Sequence, residues 1–239
     1  MISAIDYNAT WSKLILRSPD IWYTWEILKP YVQQAAKRLE IGVGMLPKFS
    51  IKDTYFLDTS TYAIQQLNAK GGKGIVLGAQ EQLPFPGQFF DLVGAFEVLE
   101  HLENPEKTLQ GIAQVLKMGG LLIFSVPMNQ GYWSSWDVFA GHVQRFEQKH
   151  LDEILKKEGF RVEHCYVSGR LAKKRFFSWV IRKASLLPLY FPNFFLFFYQ
   201  YLLSPYAWLG KTFPRSSHYA SLLSIPQDST SVLVVCRKQ

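Results

Sequence analysis

The chain has 239 residues, 48% of them hydrophobic, enough to bury one core and carry an appended segment. Its two cysteines, Cys165 and Cys236, form neither a Cys-x-x-Cys motif nor a disulfide framework, and its start, MISAIDYNATWSKLIL, lacks the pattern of a signal peptide; a reducing, cytoplasmic setting is expected. The net charge of +7 is local, because Arg170, Lys173, Lys174, Arg175, Arg182 and Lys183 crowd into one stretch and the rest of the chain has 20 basic against 19 acidic residues, which excludes a nucleic-acid footprint over the whole surface.

In chain order, residues 22–37 place apolar side chains at mixed helical spacing, with Pro30 as a kink or boundary, and RLEIGVG reads as a buried strand ending in a turn. TYFLD is a second strand, TYAIQQLNAKGG a helix stopped by Gly71 and Gly72, and GIVLG a third strand. DLVGAFE is the fourth strand. The next helix takes Asn104 as N-cap and Pro105 as its first residue and should stop at Gly119. LLIFSVP is the fifth strand, KHLDEILKKEGF an amphipathic helix closed by Gly159, RVEHCYVSG the sixth strand and VLVVCRK the seventh. The alternation predicts an α/β fold with a doubly wound, mostly parallel seven-stranded sheet that binds ligands at the carboxyl ends of its strands.

The segment RLEIGVGMLPKFSIKDTYFLDTS is shaped like a nucleotide site: Gly42 and Gly44 form a turn after a strand, and Asp58 ends the next one. A third glycine is missing, and MLPKFSIKD, with Pro47 inside it, is too short for a full helix. Such a turn suits a cofactor without a pyrophosphate, which asks less of a helix N-terminus.

Taken in fixed order, Asp58, EQLPFP, FFDLVGAFEVLEHLENPEKTL and VLKMGGLLIFSVP resemble the class I S-adenosylmethionine-dependent methyltransferases, in the branch of the ubiquinone and menaquinone pathway methylases. The resemblance covers residues 20–169 and the last strand. It implies S-adenosyl-L-methionine as cofactor, with Gly42 and Gly44 admitting its methionine part and Glu40 supplying negative charge near its ammonium and sulfonium. Asp58 would accept from both ribose hydroxyls, with Thr59 beside it. By family position Gln80 and Glu81 would lie beside the adenine and Phe96 beside the methionine. One departure is Ala79, where family members often carry an Asp for the adenine amino group.

Methyl transfer needs a positioned acceptor and, for a hydroxyl, a group that takes its proton. In EVLEH the spacing of Glu97, Glu100 and His101 would put all three on one side of a helical turn, and His142 in GHVQRF could join them. That pattern is similar to metal-assisted O-methyltransferases and implies a divalent metal, Mg or Zn, on Glu97, Glu100, His101 and His142. The alternative keeps EVLEH as a family loop, with His101 as general base. Tyr132, Trp133, Trp136 and Arg145 are candidate acceptor contacts, Arg145 either receiving an anionic group with His142 or pairing with Glu147 or Asp152. His150, His164 and His218 read as surface residues.

Between the sixth strand and the last lie 59 residues, 170–228, including 27 in succession without a charge. Pro188, Pro192 and Pro205 interrupt that run, leaving 12 residues between the last two, too few for a membrane span. Cations followed by aromatic rings fit an element lying on an anionic membrane surface through 170–210, the alternatives being a helical lid or a dimer interface. The expected division is thus 1–169 with 229–239 as the cofactor domain and 170–228 as a helical aromatic insertion. The expected activity is O-methylation of a hydrophobic or membrane-presented acceptor, such as a quinone precursor, lipid or lipid-linked glycan. RNA methylation and a non-catalytic scaffold are the alternatives, and nucleic acid is the less favoured partner because the cations adjoin an uncharged aromatic block.

Overall fold

The computed structural model describes residues 7–22, 24–78, 82–170 and 217–239. The expected site residues Gln80 and Glu81, Ala79 beside them, and 171–216 of the expected insertion lie outside the described residues.

Eight strands form one sheet: β1 (Arg38–Ile41), β2 (Tyr55–Asp58), β3 (Lys73–Val76), β4 (Phe90–Phe96), β5 (Leu116–Pro127), β6 (Phe160–Arg170), β7 (Ser217–Tyr219) and β8 (Ser229–Lys238). Their order is β3-β2-β1-β4-β5-β8-β6-β7. The first five are parallel to one another, whereas β8 runs antiparallel between β5 and β6. The helices are α1 (Tyr7–Trp11), α2 (Trp25–Gln34), α3 (Thr61–Ala69), α4 (Pro105–Val115), α5 (Ser135–Ala140) and α6 (Gln148–Lys157).

The apolar runs of β4, β5 and β8 are covered on both faces, as parallel-type central strands require. One face packs Leu109, Ile112, Leu151 and Leu155 of α4 and α6 against Leu39, Val93, Leu122 and Val234. The other packs Leu28 and Val32 of α2 against Leu92, Ile123 and Val235. Local chemistry sets the helix starts: Ser60 accepts from the Ala63 amide at 3.2 Å, and Asn104 from the Lys107 amide at 3.1 Å, ahead of Pro105.

Three boundaries differ from expectation. Pro30 lies inside α2, which continues through it. Helix α4 ends at Val115 rather than at Gly119, because Leu116 enters the sheet as the partner of Phe90 and is fully buried. Ser217–Tyr219 pair with β6, and Leu222 and Ile225 are buried in the core, so this part of 170–228 is joined to the sheet, which has eight strands rather than seven. Among the described residues, no helix is long and apolar enough to cross a membrane.

Strands β1, β2, β4 and β5 point the same way, so the loops that follow them gather along one edge of the sheet. The residues singled out from the sequence stand at that edge.

Candidate active site

The turn after β1 is braced by two carboxylates. Glu40, 1% exposed, accepts from the amides of Lys48 and Phe49, both at 2.9 Å. These bonds explain how the short loop holds without a helix: the carboxylate gives its amides the acceptor that a further helical turn would have supplied. Burial raises the Glu40 pKa to about 7 against the opposing pull of the two amides. Asp58, also buried, accepts from the Gly44 amide through Oδ2 and from the Ser60 amide through Oδ1, both at 2.8 Å. Burial raises its pKa as well, with the bound amides pulling the other way.

Gly42 and Gly44 have φ of 67° and 52°, where a side chain is disfavoured. The room their missing side chains leave is taken by the protein: a Cβ on Gly42 would stand 2.5 Å from Val98 Cγ2, and one on Gly44 2.7 Å from the Trp11 ring. Trp11 arrives on α1, which Asn8 ties down by accepting from Ser60 Oγ at 2.8 Å and from the Tyr62 amide at 3.2 Å. Gly42→Ala is expected to destabilise the fold by about 2 kcal/mol, the cost of a left-handed residue plus crowding on Val98, read from urea unfolding. Adding Val98→Ala should relieve the crowding but not the backbone cost. Thr59 is exposed beside Asp58, and Phe96 is buried edge-on to Phe49, with ring centroids 5.6 Å apart.

A second group forms where the loop after β4 meets the one after β5. The Val143 amide donates to the Glu100 carbonyl at 2.8 Å and Gln144 Nε2 to the Leu102 carbonyl at 2.8 Å, stitching the two loops together. Glu100, His101 and His142 thereby each bring one ligand-type atom within 4.8 Å of the others. Glu97 is not in that group. It adopts φ 53° instead of joining a helical turn, and its carboxylate accepts from Ser125 Oγ at 2.6 Å.

The two imidazoles are held by their Nδ1 atoms, His101 on the Gly141 carbonyl at 3.1 Å and His142 on Asp137 at 2.9 Å. With Nδ1 as donor in each, both Nε2 atoms carry free lone pairs. His142 Nε2 lies 3.9 Å from a Glu100 oxygen, and the rings meet edge-to-face at 4.9 Å. Burial, and then His142, lower the His101 pKa. Glu100 is fully buried, its side-chain oxygens have no hydrogen-bond partner among the described residues, and burial followed by the nearby Glu97 charge pushes its pKa well up.

Among the described residues, Arg145 pairs with Asp137 rather than with Glu147 or Asp152. Its Nε and Nη2 donate to the two oxygens of Asp137 at 2.8 and 3.0 Å, and Nη1 reaches the Met128 carbonyl at 3.4 Å. Asp137 is fully buried and closes a capping box with Ser134 at the start of α5. Burial works against its charge, but Arg145 and His142 outweigh it and hold its pKa below the usual carboxylate range. Tyr132 and Trp133 lie in the turn before α5 and Trp136 in its first turn, with Trp133 37% exposed and Val143, beside His142, 50% exposed. His164 and His218 are not isolated surface residues, since Nδ1 of the first meets Nε2 of the second at 2.9 Å across β6 and β7.

The sequence pattern of the methyltransferase-domain family matches residues 41–165, just over half of the chain. The chain belongs to this family. It is a class I S-adenosylmethionine-dependent methyltransferase, and the matched span contains both the braced turn and the histidine group. An uncharacterized protein of Methanocaldococcus jannaschii is 28% identical to the methyltransferase over 146 residues, 57% of this chain and 69% of that one. A 2-methyl-6-phytyl-1,4-hydroquinone methyltransferase of Oryza sativa is 26% identical over 123 residues, 50% of this chain but 35% of the rice enzyme. A solved SAM-dependent methyltransferase of Archaeoglobus fulgidus shares the fold with a TM-score of 0.55 at 18% identity, over 92% of this chain and 95% of that one.

Proposed function

We propose that the methyltransferase transfers the methyl group of S-adenosylmethionine to a hydroxyl oxygen of a hydrophobic acceptor, a quinone precursor or a lipid-like molecule presented at a membrane. The observation that carries this reading is the pairing of two imidazoles, each with a free Nε2, with three aromatic residues, Tyr132, Trp133 and Trp136, on the turn and helix just before His142. The bond from sulfur to the methyl carbon breaks as the bond from acceptor oxygen to that carbon forms, and the hydroxyl proton passes to Nε2 of His101 or His142. A His101 kept neutral by burial is available as that base near neutral pH. In this reading Glu40 faces the cofactor's ammonium and sulfonium, Asp58 its ribose, and Phe96 lines the methionine end. The rice relative, named for a prenylated hydroquinone, supports a quinol-type acceptor.

A divalent metal on Glu100, His101 and His142 is a second reading, favoured by the two unpartnered oxygens of buried Glu100. The residues fit such an ion, because Asp137 and the Gly141 carbonyl orient the imidazoles as outer partners orient metal-bound histidine. Two nitrogens and one carboxylate suit zinc better than magnesium, which prefers oxygen ligands. When bound, the ion would acidify the acceptor hydroxyl. In this reading Glu97 is left out of the ligand set. A membrane contact through 170–210 is likewise part of the proposal.

The test is incubation with labelled S-adenosylmethionine and a prenylated hydroquinone in anionic vesicles, with and without chelator, followed by mass spectrometry of the product. An O-methyl ether formed at an unchanged rate in chelator supports the histidine base alone. A rate that falls in chelator and returns with zinc supports the metal, and a ring C-methyl product would defeat the oxygen-transfer reading.

A further inference from the structure

The side chain of Lys48 is bonded to neither group described above, yet carboxylates of both neighbourhoods, Glu40 and Glu97, act on its charge. It lies in the shortened loop after β1, and its own amide is one of the two that Glu40 accepts. The side chain is partly buried, with Nζ 3.5 Å above the centre of the Trp22 ring. Among the described residues the ammonium makes no hydrogen bond and no ion pair, although the Glu40 and Glu97 carboxylates are near enough to favour its charge. Burial outweighs those two carboxylates and lowers its pKa to about 8, a sign that the charge lacks a direct partner.

Two further groups, on Trp22 and on the nearby Thr24, are unpartnered among the described residues. Trp22, whose face carries the ammonium, has a buried Nε1 with no acceptor among the described residues, and so does the buried hydroxyl of Thr24. Thr24 is the residue before α2 and makes no capping bond with its side chain. The ten-residue helix α2 therefore starts directly after the idle Thr24 hydroxyl, two residues beyond Trp22. Buried donors are rarely left idle in proteins, and two of them, two residues apart and one on the ring that carries the ammonium, mark a place for an anionic oxygen.

The charges along this edge run Glu40, Lys48, Glu97: an anion, a cation and an anion. The amino-acid end of S-adenosylmethionine carries a carboxylate together with an ammonium and, three carbons away, a sulfonium. A site with carboxylates alone would satisfy two of these charges and leave the third facing like charge.

We propose that Lys48, with the Trp22 indole N–H and the Thr24 hydroxyl, receives the carboxylate of the cofactor's amino-acid end. The assignment rests on the methyltransferase reading of the turn and adds to it a residue that selects cofactors carrying that carboxylate. It also gives the departure from a Gly-rich helix start a purpose, since the short loop brings a lysine where a helix would present backbone amides.

The test uses the full chain and two probes, S-adenosylhomocysteine and 5′-methylthioadenosine, which share the nucleoside but differ in that the second lacks the amino acid. By calorimetry, Lys48→Met should weaken S-adenosylhomocysteine about tenfold or more while leaving methylthioadenosine unchanged, as expected for loss of a charge-assisted hydrogen bond. Lys48→Arg should recover most of that loss, and matching thermal unfolding curves would show that the variants are folded. Equal affinity of wild type and Lys48→Met for S-adenosylhomocysteine overturns the assignment, as does a parallel loss for both probes. Failure of the wild type to bind either probe defeats the cofactor reading itself, which is a separate result.

Discussion

Asp58→Ala is expected to abolish usable cofactor affinity, weakening S-adenosylhomocysteine by about a hundredfold or more in calorimetry. The carboxylate already accepts one amide on each oxygen, from Gly44 and Ser60. An ionised carboxylate offers about four lone-pair sites, so two remain for the ribose hydroxyls. Bonds to a charged acceptor contribute about 1.5 to 3 kcal/mol each, and losing two accounts for the predicted fall. The same substitution removes the acceptor from the Gly44 and Ser60 amides, so the turn should loosen and the melting temperature fall. Asp58→Asn separates the effects: its carbonyl oxygen keeps one acceptor position, so it should retain more stability than affinity. If Asp58→Ala binds S-adenosylhomocysteine as wild type does, the ribose role is wrong.

The part of this site legible in the sequence is the part with short-range signatures. Gly42 and Gly44 after a strand, and Asp58 at the end of the next, are set by positions along two parallel strands whose pairing brings Ile41 opposite Leu57. Asn104 and Pro105 announce a helix start by local bonding alone, and the start is where they place it. Contacts across the chain were not legible. Trp11 reaches Gly44 from a segment whose spacing gives no hint of its destination. Glu147 and Asp152 are close to Arg145 in sequence, but its guanidinium pairs with Asp137, one element back and fully buried. The Ser134 and Asp137 spacing does carry a capping signal, which could have marked Asp137 as a buried acceptor. Lys48 is not legible in the sequence, because a lysine shortly past a turn looks like a solvated side chain, and only the placement of Trp22 makes it otherwise. The end of α4 failed for a different reason: Gly119 is a true break, at φ 74°, but sheet pairing at Leu116 had already ended the helix.

Asp137→Ala should be the most destabilising single change at the histidine group, costing about 3 to 5 kcal/mol in urea unfolding. The reason is the guanidinium left behind. Arg145 is about nine-tenths buried, and its two strong bonds both end on Asp137, so removing the carboxylate strands a charge in a place with little water. His142 loses its Nδ1 acceptor in the same step, which frees the imidazole to take the other tautomer and turn its lone pair away from Glu100. Stability and activity should then separate in a double variant. Asp137→Ala with Arg145→Leu removes the stranded charge and should recover part of the lost stability, because the two residues act as one unit and their effects do not add. Activity should not return with it, since His142 still lacks its anchor. A double variant as unstable as Asp137→Ala would show that the carboxylate serves the α5 cap more than the arginine, and one with restored activity would remove His142 orientation from the mechanism.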